Sequence, residues 1–263
     1  MPLSAVGFVW YPGSGGNTVI VASALPEEQV AWPFAHQRWQ TFTFLHWAYD
    51  PAVVQRLLPS ELEVHTHEGL AWVGLTPFML CDFHPPGLPG VPGLSSFPET
   101  NLRTYVLDSN GLDGLWFFSL EADELATVLG ARALLQVPYH WADMSVEAGC
   151  RITYRSRRRW GPATGHDIVV EPDSPIDPEE LGERDHFLTG RWRAFTEIAG
   201  YLVTVPVEHQ PWPLWSVRVD RVDQNLLTAA GLPAPQGEPL AHYSPGVDVR
   251  LGWPRWSGLR PRR

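Results

Sequence analysis

Four hydrogen-bonding side chains recur at every second position of FPETNLRTYV, residues 97–106: Glu99, Asn101, Arg103 and Tyr105. Successive side chains of a β-strand point to opposite faces, so these four would share one face. A carboxylate can transfer protons, and a guanidinium can bind a substrate carboxylate through two parallel hydrogen bonds. Two alternatives stay open. The face meets water, or it lines the interior of a barrel, where Arg103 orients Glu99 or binds a substrate carboxylate.

A phenol and an imidazole, Tyr139 and His140, stand side by side after Pro138. Both groups can donate or relay protons. The 263 residues include no lysine, because all 19 basic residues are arginine. No side-chain amine is therefore present to form an imine with a carbonyl substrate.

Three further histidines, His46, His209 and His242, each lie beside aromatic residues. Any one of them is more typical of a core or surface histidine than of a catalytic one, but together they are candidates for proton transfer near neutral pH. His65 and His67 share a strand face without a third ligand at a recognisable spacing. We therefore predict no metal site. No serine stands in a Gly-x-Ser-x-Gly context, so a hydrolase triad has little support.

Composition limits the classes of partner. The formal charge of −10 and the isoelectric point near 5.4 argue against general affinity for nucleic acid or anionic membranes. No stretch reaches the roughly 18 apolar residues of a membrane span, and no basic leader is evident, so we expect a cytoplasmic protein. A small molecule is the predicted partner, and assembly into a homo-oligomer is left open.

One local basic run departs from this acidic balance. Arg155, Arg157, Arg158 and Arg159 lie in RITYRSRRRW. Edge strands commonly carry charge, so the run predicts a solvated strand edge or loop, with a phosphate-binding patch as the alternative.

The elements that would position these residues are mostly short strands. TFTFLHW alternates as a strand, and LEVHTHEGLAWVGLTPFML predicts a hairpin that turns at Glu68-Gly69. We also read ALLQVPYHWADMSVEAG, residues 133–149, as strand. Many short strands with few helices indicate a mainly β fold: a curled antiparallel sheet or barrel with peripheral helices.

A short helix near Asp123 to Leu129 and two proline-led helices interrupt the strands. Asp50 and Asp177 are predicted N-caps, with Pro51 and Pro178 at the first helical positions, so DPEELGERDHFLTGRWRAFT would start as a helix. We expect an N-terminal extension over residues 1–36, one domain over 37–250 and a C-terminal tail over 251–263.

Eight ordered blocks carry a family resemblance: FLHWAYDPAVVQRLLP, AWVGLTPFML, LSSFPETNLRTYV, GLWFFSLEA, GARALLQVPYHWADM, HFLTGRW, HQPWPLW and HYSPGVDV. Over about residues 37–250 they resemble the YqjF-like family, DUF2071, which looks like a distant relative of the acetoacetate decarboxylases. The resemblance implies a curved antiparallel β-barrel that encloses a small-molecule cavity.

The resemblance also implies where the site lies. In the decarboxylases an Ala-Arg-Glu-like segment leads to Pro-Lys-Lys, whose first lysine forms the imine. GARALLQVPYH, which contains Arg132, looks like the same segment, with Tyr139 and His140 where the lysines would be. Glu99 resembles the cavity glutamate of those enzymes. Without the lysine, imine-dependent decarboxylation is excluded.

Two functions remain. The first is a cofactor-independent enzyme that acts on a small carboxylate or carbonyl metabolite by acid–base chemistry, of lyase, hydratase, isomerase or cyclase type. The second is a non-catalytic binding protein with a lipocalin-like cavity. The predicted catalytic residues are Glu99, Tyr139 and His140. The predicted substrate-binding residues are His46, Asn101, Arg103, Tyr105, Arg132, His209, Trp212 and His242.

Overall fold

The computed structural model describes residue 26 and residues 29–91 and 93–257. The described strands are β1 (Pro33–Tyr49), β2 (Leu62–Val64), β3 (Thr66–His67), β4 (Leu70–His84), β5 (Phe97–Asp108), β6 (Asp113–Ala122), β7 (Tyr139–Glu147), β8 (Ile152–Arg158), β9 (Gly165–Pro175), β10 (Arg193–Ile198), β11 (Tyr201–His209), β12 (Trp215–Gln224), β13 (Leu240–Gly252) and β14 (Arg255–Trp256). The described helices are α1 (Pro51–Gln55), α2 (Leu125–Leu134), α3 (Glu183–Thr189) and α4 (Leu226–Ala229), with a short 3₁₀ helix at Pro178–Glu180. The mainly β class is confirmed.

One curved sheet contains all these strands, in the order β14-β11-β10-β6-β7-β8-β9-β12-β13-β1-β4-β5-β2, with β3 paired to β4. Additional pairings join β11 to β13 and β6 to β5. Antiparallel pairing was expected throughout, but β6 pairs in parallel with both β7 and β10. Parallel pairs need a crossover, and α2 supplies the one between β6 and β7.

The long strands β1, β4 and β5 separate two apolar layers. One face packs Leu45, Leu75 and Leu102 against the inner side of β8 and β9. The opposite face packs Phe42, Phe44 and Phe78 against Trp212. Burying one such leucine or phenylalanine side chain contributes about 2 kcal/mol. The central strands are thus fixed from both sides, which gives residues on them well-defined positions.

Several local predictions are confirmed. Glu68 and Gly69 both have positive φ, 52° and 76°, as the tight turn between β3 and β4 requires. Asp50 caps α1 by accepting a hydrogen bond from the backbone N–H of Ala52 at 2.8 Å, with Pro51 at the first helical position.

Helix α2 lies where a short helix is predicted, but it extends into the stretch before Pro138, which is predicted as strand. Helix α2 runs to Leu134, and β7 begins only at Tyr139. Ala131, Arg132, Ala133 and Leu134 all favour helix, and the Glu124 side chain caps the helix start by accepting backbone N–H bonds.

The second proline-led helix is a single short turn. Asp177 and Pro178 begin a helical turn as expected, but the turn ends at Glu180. Helix α3 then starts separately after Gly182, whose extended backbone interrupts the helical path.

The predicted domain limits fall inside strands, because residue 36 lies in β1 and residue 250 lies in β13. From the predicted tail, β14 pairs with β11. Most of the predicted N-terminal extension, residues 1–25, 27 and 28, lies outside the described residues. None of the helices in the described part of the chain is long and apolar enough to span a membrane.

Candidate functional site

The polar row on β5 faces the protein interior. The exposed fractions of Glu99, Asn101, Arg103 and Tyr105 are 4%, 7%, 5% and 0%. The alternative in which this face meets water is therefore wrong. A fully polar strand face inside a protein is costly unless its groups find partners.

Glu99 and Tyr139 form the first contact of the site. The Tyr139 hydroxyl donates a hydrogen bond to Glu99 Oε2 at 3.0 Å, and Asn101 also hydrogen-bonds the carboxyl. Burial raises the pKa of Glu99 to about 7, although these two hydrogen bonds act in the opposite direction. Burial and the neighbouring carboxyl raise the pKa of Tyr139 well above its ordinary value. Near neutral pH, Glu99 therefore exists in both protonation states beside a neutral phenol.

Arg103 is a buried cation without an ion-pair partner among the described residues. Its Nη2 lies 3.5 Å from the carbonyl oxygen of Leu188, and its Cζ lies 5.5 Å from the centre of the Phe44 ring. Its Nε makes no hydrogen bond within the described part of the chain. An unpaired buried guanidinium is costly, so this position favours an anion.

Tyr105 connects the arginine to a buried histidine. Its hydroxyl lies 2.6 Å from the Leu188 carbonyl oxygen and 2.7 Å from His46 Nε2. A phenol has one proton, which it donates to the carbonyl, so His46 Nε2 must be the protonated ring nitrogen. His46 Nδ1 is then a buried acceptor, and it has no partner in the described structure. Burial, followed by the charges of Arg103 and His242, holds the pKa of His46 well below its usual range.

Three other predicted substrate-binding residues, His209, Trp212 and His242, lie around the same interior face. His242 Nε2 is 3.3 Å from Asp185 Oδ1, and Trp212 donates its indole N–H to the Thr189 carbonyl at 3.1 Å. The ring centres of His209 and Trp212 are 5.0 Å apart. Burial lowers the pKa of His209 to about 4 and also lowers that of His242. These histidines are therefore neutral near pH 7.

The segment around α3 covers the Arg103 end of this face. Leu188 and Thr189 supply the carbonyl oxygens that Tyr105 and Trp212 contact, and Phe187 packs on Tyr105 with ring centres 5.0 Å apart. An open pocket of about 660 Å³ lies nearby and has His209 among its lining residues. The enclosed cavity stays a prediction.

His140 is not brought together with Glu99. Tyr139 is paired with Leu120 and His140 with Glu121, so the two neighbours point to opposite faces of β7. Burial lowers the pKa of His140 to about 4, with further lowering by Arg158 and Arg132. Arg132 lies outside the polar row, where its Nη1 donates to the Tyr139 carbonyl at 2.8 Å.

Arg158 was predicted to lie on a solvated edge, but its side chain is only 10% exposed and binds the fully buried Glu121. Three hydrogen bonds of 2.6–3.1 Å join the two side chains. The alternation of Tyr154 and Ser156, both buried, with exposed Arg155 and Arg157 was a signal that Arg158 points inward.

Sequence reasoning also missed Arg191, which is 3% exposed and lies with its Cζ 4.8 Å from the centre of the Tyr105 ring. Arg191 stands in the block HFLTGRW, which contributes to the family resemblance without indicating a role for the arginine. No local pattern could have placed it beside a residue that is 86 positions earlier.

Comparison with known proteins decides the family. A family model described as DUF2071, uncharacterized conserved protein, matches residues 36–248. The chain belongs to this family. It is also 38% identical over 224 residues to the uncharacterized protein YqjF of Bacillus subtilis (strain 168). The matched region covers 84% of this chain and 92% of YqjF.

Solved structures share the fold of this DUF2071 protein. The enduracididine biosynthesis enzyme MppR complexed with pyruvate is 16% identical, with a TM-score of 0.63 and coverage of 88% of this chain and 92% of that chain. An acetoacetate decarboxylase-like enzyme from Sphingomonas wittichii RW1 is 14% identical, with a TM-score of 0.59 and coverage of 88% and 95%. Acetoacetate decarboxylase from Legionella pneumophila is 14% identical, with a TM-score of 0.59 and coverage of 94% and 98%. The acetoacetate decarboxylase-like fold is thus confirmed.

Proposed function

We propose that this DUF2071 protein is an enzyme that acts on a small carboxylate or carbonyl compound by acid–base chemistry, without an imine. One observation carries the proposal. A single buried strand face holds both a carboxyl whose pKa is about 7, Glu99, and a guanidinium, Arg103, for which the described residues supply no carboxylate partner. A strongly perturbed titratable group that shares a buried face with a guanidinium is typical of functional sites.

Arg103 is the proposed anchor for the substrate carboxylate. A carboxylate of the ligand would neutralise the buried guanidinium through two parallel hydrogen bonds. The Leu188 carbonyl, at 3.5 Å, is the acceptor that such a carboxylate would replace. MppR, which shares the fold, is described as complexed with pyruvate, a small keto acid of this class.

Glu99 is the proposed base and acid. In its ionised form it removes a proton from the carbon next to the substrate carbonyl, and the bonding electrons move onto the carbonyl oxygen as an enolate. Glu99, now protonated, returns a proton to the same carbon or to a neighbouring atom. A base is most effective when its pKa is near the working pH, which a value of about 7 satisfies.

Tyr139 is the proposed stabiliser of the enolate. Its hydroxyl donates to Glu99 in the resting protein. A protonated carboxyl is a weaker acceptor, so the same hydroxyl can donate to the enolate oxygen after Glu99 has taken the proton. His140 lies on the other face of β7, and we assign it no contact with the substrate.

A binding protein remains the second candidate because of the aromatic wall on this face. Phe42, Phe44, Phe78 and Trp212 pack together, and three of them, Phe42, Phe44 and Trp212, have mutual ring-centre distances of 4.6–5.0 Å. Such a wall could hold a ligand without chemistry.

Proton exchange of pyruvate in D₂O tests the proposal. Loss of the methyl signal, followed by ¹H NMR, should be faster with the protein than with buffer, and the rate should rise as pH increases through about 7, because ionised Glu99 is the base. Glu99→Gln should slow exchange by roughly 10²-fold or more. Arg103→Met should weaken pyruvate binding by about tenfold or more. Glu63→Gln, at an exposed residue of β2, is the matched control.

The outcomes separate the two candidates. Exchange that depends on Glu99 supports the enzyme. Thermal stabilisation by pyruvate or acetoacetate that depends on Arg103, without exchange, overturns the enzyme in favour of the binding protein. Absence of both binding and exchange overturns both.

A further inference from the structure

A second buried arginine, Arg191, lies beside the proposed carboxylate anchor. It follows α3 directly and is 3% exposed. Its Nη1 donates to the Gly190 carbonyl at 2.9 Å. Its Nε and Nη2 make no hydrogen bond within the described residues. This guanidinium has unused donors in a place that water does not reach.

The carboxylate nearest to Arg191 is shared. Asp113 Oδ2 lies 3.5 Å from Arg191 Nε, whereas Asp113 Oδ1 lies 3.0 Å from Arg193 Nη1. Arg193 also donates to the Asp113 backbone carbonyl at 2.7 Å. Asp113 is therefore oriented by Arg193, and Arg191 is left with a long contact to it.

Tyr105 brings Arg191 and Arg103 together. Arg191 Cζ lies 4.8 Å from the centre of the Tyr105 ring and 4.5 Å from that of Phe187. Arg103 interacts with the hydroxyl of the same tyrosine, and both groups face the Leu188 carbonyl. Two buried cations on one tyrosine repel each other, so anionic ligand groups would relieve both desolvation and repulsion.

We propose that the preferred ligand is a short dicarboxylate, with one carboxylate at Arg103 and the other at Arg191. This inference rests on the proposed function for the position of the first carboxylate, and it adds the class of substrate. Arg191 is then the residue that separates dicarboxylates from monocarboxylates. The Nε and Nη2 donors, which make no hydrogen bond among the described residues, are a pair with the spacing that a carboxylate accepts, and a ligand there would compete with the long Asp113 contact at Nε.

Calorimetric titration of the full chain with succinate and butyrate tests this. Both ligands have four carbons, and only the second carboxylate differs. The protein should bind succinate about tenfold or more tightly than butyrate. Arg191→Met should reduce this ratio to about one with butyrate affinity retained, and Arg103→Met should weaken both ligands. Arg218→Met, at an exposed arginine paired with Asp220, should leave the ratio unchanged.

The ratio compares two ligands on one folded variant, so reduced stability of Arg191→Met does not affect the reading. Equal affinities in the unsubstituted protein, or a succinate preference that persists in Arg191→Met, would overturn the dicarboxylate inference and leave the proposed function standing if butyrate still depends on Arg103. Failure of both ligands to bind, together with absence of pyruvate exchange, would overturn the proposed function as well.

Discussion

Replacement of Glu99 by glutamine should make the protein more stable at alkaline pH. Glutamine keeps the shape of the side chain and an oxygen that can accept the Tyr139 hydrogen bond, but it has no charge to desolvate. The carboxyl has a pKa of about 7 in the folded protein against 4.5 for an unperturbed glutamate. The folded state therefore holds this proton more tightly than the unfolded state does.

The direction and size of this change in the free energy of unfolding follow from proton linkage. Below pH 4.5 the carboxyl is protonated in both states, so burial costs no charge. As pH rises from 4.5 to 7, the unfolded chain loses the proton first and the free energy of unfolding falls. At 1.36 kcal/mol per pKa unit the total loss is about 3 kcal/mol, of which about 2.5 kcal/mol falls between roughly pH 5 and 8. The stability difference between Glu99→Gln and the unsubstituted protein should increase by that amount over this range.

Urea unfolding at several pH values measures the difference directly. The buried histidines titrate in both proteins, so their contributions cancel when the two curves are subtracted. Glu63→Gln removes an exposed carboxylate from β2 and should show no comparable trend. A difference that stays flat from about pH 5 to 8 would refute the assignment of Glu99 as a desolvated acid.

Three other substitutions test neighbouring parts of the structure. Tyr139→Phe removes a hydrogen bond that lowers the pKa of Glu99, so this pKa should rise further, as ¹³C NMR titration of the carboxyl would report. Arg158→Met leaves the Glu121 carboxylate buried without its partner and should cost about 3–5 kcal/mol in urea unfolding. Adding Glu121→Gln should recover part of that loss. Asp50→Ala removes the cap of α1 and should cost about 1 kcal/mol, which a lowered Tm would show.

The polar row on β5 could be predicted from the sequence because strand alternation is a local property. Glu99, Asn101, Arg103 and Tyr105 need only a regular strand to share a face. Whether that face is buried depends on residues that are far away in the sequence. Leu188, which accepts from Tyr105, is 83 residues away, and Tyr139 is 40 residues from Glu99. The family resemblance, and not the local pattern, assigned Glu99 and Tyr139 to the same site.

The same alternation explains why His140 does not join the site. Adjacent residues in a strand cannot both contact the same side chain across the sheet, so a prediction that used Tyr139 and His140 together needed a turn or a bulge between them. The structure has regular pairing at this point, Leu120 with Tyr139 and Glu121 with His140. The prediction for Arg158 fails for a related reason, because it rests on the charge of the arginine run and not on the alternation of side chains along β8.

The family resemblance places Tyr139 where the decarboxylases have their imine-forming lysine, and in this structure Tyr139 hydrogen-bonds Glu99. A phenol has no amine and cannot form an imine. Its hydroxyl instead donates a hydrogen bond to Glu99, the carboxyl of the polar row, and so opposes the effect of burial on the Glu99 pKa. Two opposing effects meet at Glu99: desolvation favours the neutral acid, and the hydrogen bonds from Tyr139 and Asn101 favour the anion. The resulting pKa of Glu99 is about 7. Near neutral pH, a small change in either effect therefore converts Glu99 between its ionised form, a base, and its protonated form, an acid. A ligand anion at Arg103 would add negative charge on the same face and shift that balance toward the protonated form, so occupancy of the anchor and the protonation of Glu99 should be coupled.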